Sequence, residues 1–342
     1  MFSFAKNRKI RQRKEYSKLS KAVEHLSKPS YCLLCNKKIE SCCNSHIVPQ
    51  FILKELSING KISYGQSLFK GNHDIIETTK GINNAFTFKL ICRECDNQKF
   101  KTYEDVNNLV NFDNLSNGIQ KNVLCEMAIK THLAHINMKL SIFNHNYLTL
   151  TDVFYLLKNC GLTTAYEIDI KEHIQYIKDT KGYLKDNKFP YEILYNKLLD
   201  YKTGIATQTI ISYVCDLRGN KIYDPLDFSE NNHAKYIYLM ILPYKNKTRI
   251  LFYIEKKNIN YVKEVIDDFN RLTEEEKVHF IFTSLIMYDE QFYINPTLKE
   301  KMRKDRRLIN LYTKTDKKSR NWKVYKAIKH YKKYTNYLLE NI

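Results

Sequence analysis

Glycine and proline are scarce in this chain, which has nine Gly, six Pro and a single Trp among 342 residues. It contains no glycine-rich phosphate loop, no dinucleotide fingerprint and no nucleophile elbow, so the usual signatures of nucleotide-binding enzymes and serine hydrolases are missing. No apolar run approaches the 18 or so residues that a membrane span requires, and residues 1–14 lack the apolar centre of a secretory signal. The sequence therefore predicts a cytoplasmic protein with no membrane span.

Apolar and aromatic residues are plentiful. Hydrophobic residues make up 43% of the chain and aromatic residues 13%, with 26 Tyr and 17 Phe. This composition is typical of a globular protein and not of a low-complexity tail. The length allows two or three domains of about 100–200 residues each, and a sizeable hydrophobic core.

Positive charge is concentrated at the two ends of the chain, which has a net charge of +19. Residues 1–30 carry nine Lys/Arg against two Glu, and residues 299–342 carry fifteen Lys/Arg against four acidic residues. Basic segments attract polyanions because neutralised phosphates release counterions. The charge predicts nucleic acid as the partner, DNA in preference to RNA, with an anionic membrane surface second. A merely solubilising surface is the alternative.

Nine cysteines are present, and four of them form two C-x2-C pairs, Cys32/Cys35 and Cys92/Cys95. In a reducing compartment such pairs indicate metal ligation and not disulfides. Each pair presents two thiolates from one tight turn, so together they complete the tetrahedral ligand set of a structural Zn²⁺. The adjacent Cys42 and Cys43 remain possible replacements for one ligand. The other three, Cys125, Cys160 and Cys215, fit buried small hydrophobes.

Between the two pairs lies the segment Ser45-His46-Ile47-Val48-Pro49, and the second pair is followed by Asp96-Asn97. This arrangement resembles the HNH endonuclease family in its zinc-containing, treble-clef branch. There, an acidic residue followed by His-Ile-x-Pro lies on a strand between two C-x2-C pairs. The match covers about a quarter of the chain.

The resemblance implies a ββα-metal fold that hydrolyses DNA phosphodiester bonds. By position, His46 would be the general base that deprotonates water, and Asp96 and His46 together would form the site of a catalytic Mg²⁺ or Mn²⁺. A neutral imidazole can accept a proton at cytoplasmic pH, and a hard cation stabilises charge on phosphate. Asn97 and Glu104 are candidates for supporting groups around that ion. Zinc would be scaffold only.

Three positions depart from the family pattern. Ser45 stands where the family has a carboxylate, and a hydroxyl binds Mg²⁺ far more weakly. Asp96 replaces His or Asn, and its carboxylate is a good ligand for a hard ion. The Asn that orients the catalytic His has two candidates here, Asn83 and Asn84, both farther ahead of Cys92 than expected.

Glu104 raises a question of geometry. If one helix runs through residues 96–104, Asp96, Phe100 and Glu104 share a face, but eight residues at about 1.5 Å each place the two carboxylates roughly 12 Å apart. On that geometry they cannot both bind one ion. A looser resemblance, to bacterial HNH-like proteins with a Ser-His-Ile-x-Pro segment, places an acidic residue near position 104.

The predicted fold class is α+β, with a treble-clef zinc module of the ββα-metal kind, a helical segment and a second α+β domain. The predicted parts are a basic helical arm (1–30), the zinc module (31–110), a helical connector (111–148), an α+β domain (149–298) and a basic C-terminal helix (299–342). In the connector, helical spacing links Val123, Met127, Lys130, Ala134 and Met138. A capping box at residues 273–276 predicts a helix start.

Strand and turn patterns give further local predictions. A strand is predicted from Phe86 to Ile91, directly before the second Cys pair, whereas the polar stretch 59–84 predicts no strand. Two hairpins are predicted in the second half, one around Gly219-Asn220 and one around Lys245-Asn246-Lys247.

Two other functions remain open beside the nuclease. One is a non-catalytic zinc module that binds nucleic acid, and the other is an interaction protein whose second half binds a protein partner. His132 and His135 lie at i, i+3 on a predicted helix, but no third ligand is evident, so a core or surface position is the simpler interpretation. His73 fits a turn.

Overall fold

A computed structural model describes the chain except for residues 1–13, 15–17, 20, 66–78, 150–161, 225–226, 228–231, 290–291, 311–329 and 341–342. Helix and sheet are mixed, as predicted for an α+β protein. Within the described residues, no helix is long and apolar enough to cross a membrane.

The strands are short at the beginning of the chain and longer in its second half. They are β1 (Ser45–His46), β2 (Lys61–Tyr64), β3 (Thr79–Gly81), β4 (Thr87–Phe88), β5 (Tyr191–Leu199), β6 (Ile205–Ile211), β7 (Ile237–Tyr244), β8 (Lys247–Glu255) and β9 (Tyr293–Ile294).

The α-helices vary from five to 33 residues. They are α1 (Gln50–Leu56), α2 (Arg93–Lys99), α3 (Val106–Val110), α4 (Asn117–Thr149), α5 (Leu162–Tyr183), α6 (Lys263–Asn270), α7 (Glu274–Tyr288) and α8 (Pro296–Lys304). The predicted helix of the connector is thus confirmed as α4. Residues 21–26 are also helical and end before Pro29, while most of the predicted N-terminal arm lies outside the described residues.

The chain forms two compact units that interleave along the sequence. Unit 1 consists of residues 1–47, 72–77 and 86–189, and unit 2 of residues 48–71, 78–85 and 190–342. This division differs from the linear one expected from sequence. The connector helix α4 and helix α5 belong to unit 1, and much of the long segment between the two Cys pairs belongs to unit 2.

Unit 1 contains both Cys pairs, the two-stranded antiparallel sheet β1–β4 and the helices α2 to α5. In the sheet, Ser45 lies opposite Phe88 and His46 opposite Thr87. The strand predicted from Phe86 to Ile91 is shorter than expected. Phe86 has a positive φ of 29°, and the carbonyl groups of Leu90 and Ile91 accept hydrogen bonds from the first Cys segment instead of from a strand.

Unit 2 is built on one seven-stranded sheet with the order β3-β2-β9-β6-β7-β8-β5, and every neighbouring pair in it is antiparallel. Its central strands are buried on both faces, since α1 packs against β6 and β7 while the core on the other side includes Phe269 of α6 and Phe280 of α7. Strands β2 and β3 come from the polar stretch between the Cys pairs, where no strand was expected.

Two of the three local predictions in unit 2 are confirmed. The predicted hairpin around Lys245-Asn246 is confirmed, with Lys245 at a φ of 52° in the two-residue turn between β7 and β8. The capping box is also confirmed, with Thr273 and Glu276 capping each other at the start of α7. The hairpin expected around Gly219 is wrong, because the Asp216 carboxylate accepts the backbone N–H groups of the turn and only a single bridge forms there.

The predicted C-terminal helix is wrong in its last part. Tyr331–Lys333 is a short 3₁₀ helix and residues 337–339 form a turn. Burial of Tyr337 and Leu338, with the Tyr337 hydroxyl donating to Asp305 at 3.1 Å, takes the place of a continuous helix. The stretch around Trp322 lies outside the described residues.

Candidate metal centre and the adjoining carboxylates

The first Cys pair lies in a tight turn between Tyr31 and Lys38, which form an isolated antiparallel bridge. Asn36 adopts a left-handed φ of 58°, and its backbone N–H donates to the Cys32 carbonyl at 2.8 Å. Asn tolerates this conformation better than most residues, which lets the chain reverse directly after Cys35. The turn therefore directs both thiols to the same side.

The second Cys pair begins helix α2. Cys92 is the N-cap residue, and its sulfur accepts the backbone N–H of Cys95 at 3.5 Å. The backbone N–H of Cys92 in turn donates to the sulfur of Cys32 at 3.3 Å, which joins the two pairs. A sulfur that accepts N–H groups is stabilised as a thiolate.

The four predicted sulfur ligands converge. The Sγ atoms of Cys32, Cys35, Cys92 and Cys95 all lie within 4.8 Å of one another, and those of Cys35 and Cys92 are 3.8 Å apart. Tetrahedral Zn²⁺ with Zn–S bonds of about 2.3 Å requires sulfurs about 3.8 Å apart. The prediction of these four ligands together is confirmed as a group that could hold a zinc ion.

The thiols of this group differ in their acidity. Burial raises the pKa of the Cys32 thiol, but backbone hydrogen bonds from Cys35, Cys92 and Leu34 outweigh it and bring that pKa to about 7. Burial and the neighbouring thiols raise the pKa of Cys95. Thiolates crowded in this way require a cation to remain ionised together, which is the property of a structural zinc site.

The two alternative ligands, Cys42 and Cys43, lie elsewhere. The Cys42 thiol faces the Pro29 carbonyl at 3.9 Å. The Cys43 thiol donates to Oδ2 of Asp96 at 3.2 Å, and burial followed by this hydrogen bond raises the pKa of Cys43 to about 11. Cys43 thus contacts the carboxylate of Asp96 and does not belong to the four-Cys group.

Asp96 is the centre of a second polar cluster, one residue beyond the last zinc ligand. Its Oδ1 accepts the hydroxyl of the buried Ser45 at 2.5 Å, and its Oδ2 accepts the Cys43 thiol. This contact joins strand β1 to helix α2. Both carboxylate oxygens are thus already engaged by donors from the segment that precedes and includes β1.

The positive charge of this cluster comes from Lys130 of helix α4, which is 1% exposed. Its ammonium lies 3.8 Å from Oδ1 of Asp96 and also forms an ion pair with Glu104. The same nitrogen lies 4.7 Å from the ring centroid of Phe100 and 5.8 Å from that of Tyr103, which are cation–π distances. Lys130 therefore has charge partners and ring partners from one short segment.

The expected separation of Asp96 and Glu104 is wrong. It assumed one helix through both residues, but α2 ends at Lys99 and residues 101–104 form turns. The turn is fastened to α4 by the buried carboxylate of Glu126, which accepts the backbone N–H of Tyr103 at 2.8 Å. Burial raises the pKa of Glu126, and this hydrogen bond opposes the rise. Both carboxylates thereby contact the same ammonium.

His46 is half-buried on β1, one residue after Ser45. Successive side chains of a strand point to opposite faces, so His46 leaves the sheet on the face opposite to the Ser45 hydroxyl that contacts Asp96. The role of His46 as a general base stays a prediction.

Asp96 and its neighbours do not fit a catalytic Mg²⁺ or Mn²⁺. Mg²⁺ requires about six oxygen lone pairs near 2.1 Å, whereas both Asp96 oxygens accept hydrogen bonds and Ser45 acts as a donor. A divalent ion about 4 Å from the Lys130 ammonium would also be repelled by on the order of 5–10 kcal/mol at an effective dielectric constant of about 20. Within the described residues, the four-Cys group is the only group of three or more His, Cys, Asp or Glu close enough to hold an ion.

Other candidate residues have different surroundings. Asn97 is exposed on α2. Asn83 belongs to unit 2, where its side chain accepts a hydrogen bond from Gln50 at 2.8 Å. The side chain of Asn84 and all of His73 lie outside the described residues. The expected burial of Cys125 and Cys215 is confirmed, while Cys160 is outside the described residues.

His132 and His135 pack between α4 and α5. Their partners on α5 could not be inferred from the sequence. Nδ1 of His132 lies 2.9 Å from Nδ1 of His173, and His132 stacks on Tyr176 with ring centroids 4.9 Å apart. Of the two expected positions, core or surface, His132 occupies the core, where it is fully buried.

Sequence reasoning missed the partner of Asp96. Lys130 was visible only as one member of an otherwise apolar helical stripe, and a lysine at such a position is a signal of a buried ion pair. The identity of its partners could not be inferred, because they lie 26 and 34 residues earlier in the chain.

The chain was also compared with known proteins. No protein-family model, no curated protein and no solved structure matches it. Any functional conclusion therefore rests on the residues and their geometry.

Proposed function

We propose that the chain is a nucleic-acid-binding protein whose HNH-like zinc module is structural and does not hydrolyse the nucleic acid. The single observation that supports the lack of hydrolysis is the set of contacts made by the Asp96 carboxylate. Its carboxylate is occupied by Ser45, Cys43 and Lys130, all from unit 1, so it serves as a polar fastening between β1, α2 and α4. A carboxylate whose two oxygens both accept hydrogen bonds, and which lies beside a buried ammonium, is a poor ligand for a catalytic cation.

Support for nucleic-acid binding comes from the charge of the chain and from one basic surface of unit 2. We call residues 301–307 the basic segment. It exposes five cationic side chains while Met302 is buried in the core. Lys301 and Arg303 form ion pairs with Glu340 and Glu300. In the part of the chain that the structure describes, Lys304, Arg306 and Arg307 have no acidic partner, so they are available to phosphates.

The one acidic residue inside the basic segment supports this use. Asp305 Oδ1 accepts the backbone N–H groups of Arg307 and Leu308, and Oδ2 accepts the Tyr337 hydroxyl. Its charge is therefore committed to local structure. Asp305 caps the helical residues 306–310, and Arg306 and Arg307 are exposed in the first turn after this cap.

Salt dependence tests the binding. We expect log K for a duplex DNA oligonucleotide to fall linearly with log salt, and the combined change of Lys304, Arg306 and Arg307 to Gln to lower that slope by about 2–3. The matched control changes Lys54, Lys61 and Lys263, exposed lysines elsewhere in unit 2, to Gln. An unchanged slope in the first variant would remove the basic segment from the interface, and absence of salt-dependent binding by the wild type would reject the proposal. A parallel single-stranded RNA titration decides between DNA and RNA.

The second candidate is an HNH-type endonuclease. It is favoured by the order of elements in unit 1, where β1 with His46 pairs with β4 and the chain then enters the second Cys pair and α2. Supercoiled plasmid is incubated with the wild type and with His46→Ala, in Mg²⁺, in Mn²⁺ and in metal-depleted buffer. We expect equal DNA binding and no nicking by either protein. Nicking by the wild type that His46→Ala lacks would establish the endonuclease instead.

A further inference from the structure

Residues 96–104 curl around a single cation, the ammonium of Lys130. The first turn of α2 contributes the Asp96 carboxylate, and the turn after the helix contributes the Glu104 carboxylate. The rings of Phe100 and Tyr103, which lie between them in the sequence, also face the ammonium. Loops that bind metal ions have this plan, with carboxylates from a short segment converging on one position. Here the position is filled by a side chain of the same protein.

We propose that Lys130 takes the place of a divalent cation in this module. The ammonium supplies the positive charge that holds Asp96 and Glu104 together, so the module reaches its folded form without a second metal ion. This inference goes beyond nucleic-acid binding and holds whether or not the chain binds DNA, because it concerns cation binding alone.

The ammonium cannot readily withdraw in favour of a metal ion. Lys130 is 1% exposed, and the same helix fastens the surrounding turn through Glu126, one helical turn earlier. The Tyr103 hydroxyl also donates to the Ile47 carbonyl at 2.9 Å, which ties the turn to the end of β1. Lysine side chains usually reach towards water, whereas the Lys130 side chain is buried against the carboxylates and rings of residues 96–104.

If the Lys130 ammonium is removed while the carboxylates of Asp96 and Glu104 stay, the vacated position should accept a metal ion. Lys130→Met suits this test because methionine is unbranched, flexible and uncharged, and it fills irregular space in a core. The resulting site would contain Asp96 and Glu104, with water able to complete the coordination.

The experiment titrates Mn²⁺ into the zinc-loaded full-length protein and measures free Mn²⁺ by electron paramagnetic resonance. We expect the isotherms of the wild type and of Asp96→Asn to coincide. A wild type that binds one Mn²⁺ per chain, with the binding lost in Asp96→Asn, would overturn the proposal, because Asp96 would then be a metal ligand beside an intact Lys130.

The second arm compares Lys130→Met with Lys139→Met, which removes a lysine of the same helix that pairs with Asp169. We expect Lys130→Met to bind Mn²⁺ at least tenfold more tightly than the wild type, with the gain lost in Lys130→Met/Asp96→Asn. Lys139→Met should show no gain. A folded Lys130→Met without a gain would overturn the proposal. If circular dichroism shows that Lys130→Met does not fold, the wild type and Asp96→Asn decide the question alone.

Discussion

Two polar clusters meet at consecutive residues of helix α2, and they obtain their positive charge in opposite ways. The thiol cluster ends at Cys95, and its four sulfurs could hold a metal ion from solution. The carboxylate cluster begins at Asp96 and encloses Lys130. The first cluster would thus take an external cation, whereas the second already encloses an internal one. Only the first should depend on metal supply.

The largest effect should come from the thiol cluster. Cys92→Ser removes one ligand and the N-cap sulfur of α2, and we expect loss of zinc with destabilisation on the order of 5 kcal/mol or more, because binding energy of a structural zinc is folding energy. Zinc content by mass spectrometry and urea unfolding measure both. Cys42→Ser is the control and should keep one zinc per chain. Full zinc retention in Cys92→Ser would disprove the four-Cys site.

Loss of the internal cation, Lys130, should destabilise the protein less than loss of a Cys ligand but more than loss of a surface charge. Lys130→Met leaves Asp96 and Glu104 without their counter-ion, and we expect a loss of about 3 kcal/mol, the lower end for a buried pair because Glu104 is partly exposed. Urea unfolding of the zinc-loaded protein measures it. The control Lys139→Met breaks a partly exposed pair and should cost less than about 1 kcal/mol. Equal losses in the two variants would contradict a special position for Lys130.

Acid should destabilise the protein through the buried histidines between α4 and α5. Burial lowers the pKa of His135 to about 3 and lowers that of His173 well below its usual value. The unfolded chain then binds more protons below pH 6.5, so this stability is present above pH 6.5 and is lost as the pH falls. We expect a loss of about 2 kcal/mol between pH 6.5 and 5.5 from the two imidazoles together.

The measurement is urea unfolding across this pH range, with zinc content determined at each pH to separate acid release of the metal. His135→Asn should flatten the dependence, whereas His25→Asn, at an exposed position, should leave it unchanged. The same pH dependence in the wild type and in His135→Asn would show that His135 is not held neutral by burial.

The smallest effect concerns the hydrogen bond that links the sheet to α2. Ser45→Ala removes one of the donors to Asp96, and we expect a loss of about 1–2 kcal/mol, since the bond is buried and its acceptor is charged. Thermal unfolding checks this value. Ser57→Ala removes an exposed hydroxyl bond and should change stability by less than about 0.5 kcal/mol. A neutral Ser45→Ala would mean that Lys130 and the Cys43 thiol suffice to hold Asp96.

The sequence predicted those features that are determined by a few neighbouring residues. The four zinc ligands follow from the spacing within each Cys pair, the start of α7 from the capping residues Thr273 and Glu276, and the β7–β8 hairpin from its turn. In each case a few neighbouring residues fix the geometry. The nuclease assignment and its roles for His46 and Asp96 stay predictions.

Features that depend on distant residues were not predictable. The residues near Asp96 in the sequence do not indicate that Lys130 is its partner. The end of α2 at Lys99 is also marked by neither glycine nor proline. Strands β2 and β3 are only four and three residues long, which is too short for a periodic pattern. They form because β2 pairs with β9, a strand of the larger sheet. Tertiary pairing overrides local preference in such cases.

The interleaved path of the chain has a practical consequence for attempts to isolate the zinc module. A fragment of residues 31–110 would retain β2 and β3 but lose β9, the strand that joins them to the rest of their sheet. It would also lose Lys130 and Glu126, which lie beyond its end on α4. Such a fragment would expose an unpaired strand edge, which favours aggregation. Limited proteolysis of the whole protein is therefore the safer route to an autonomous core.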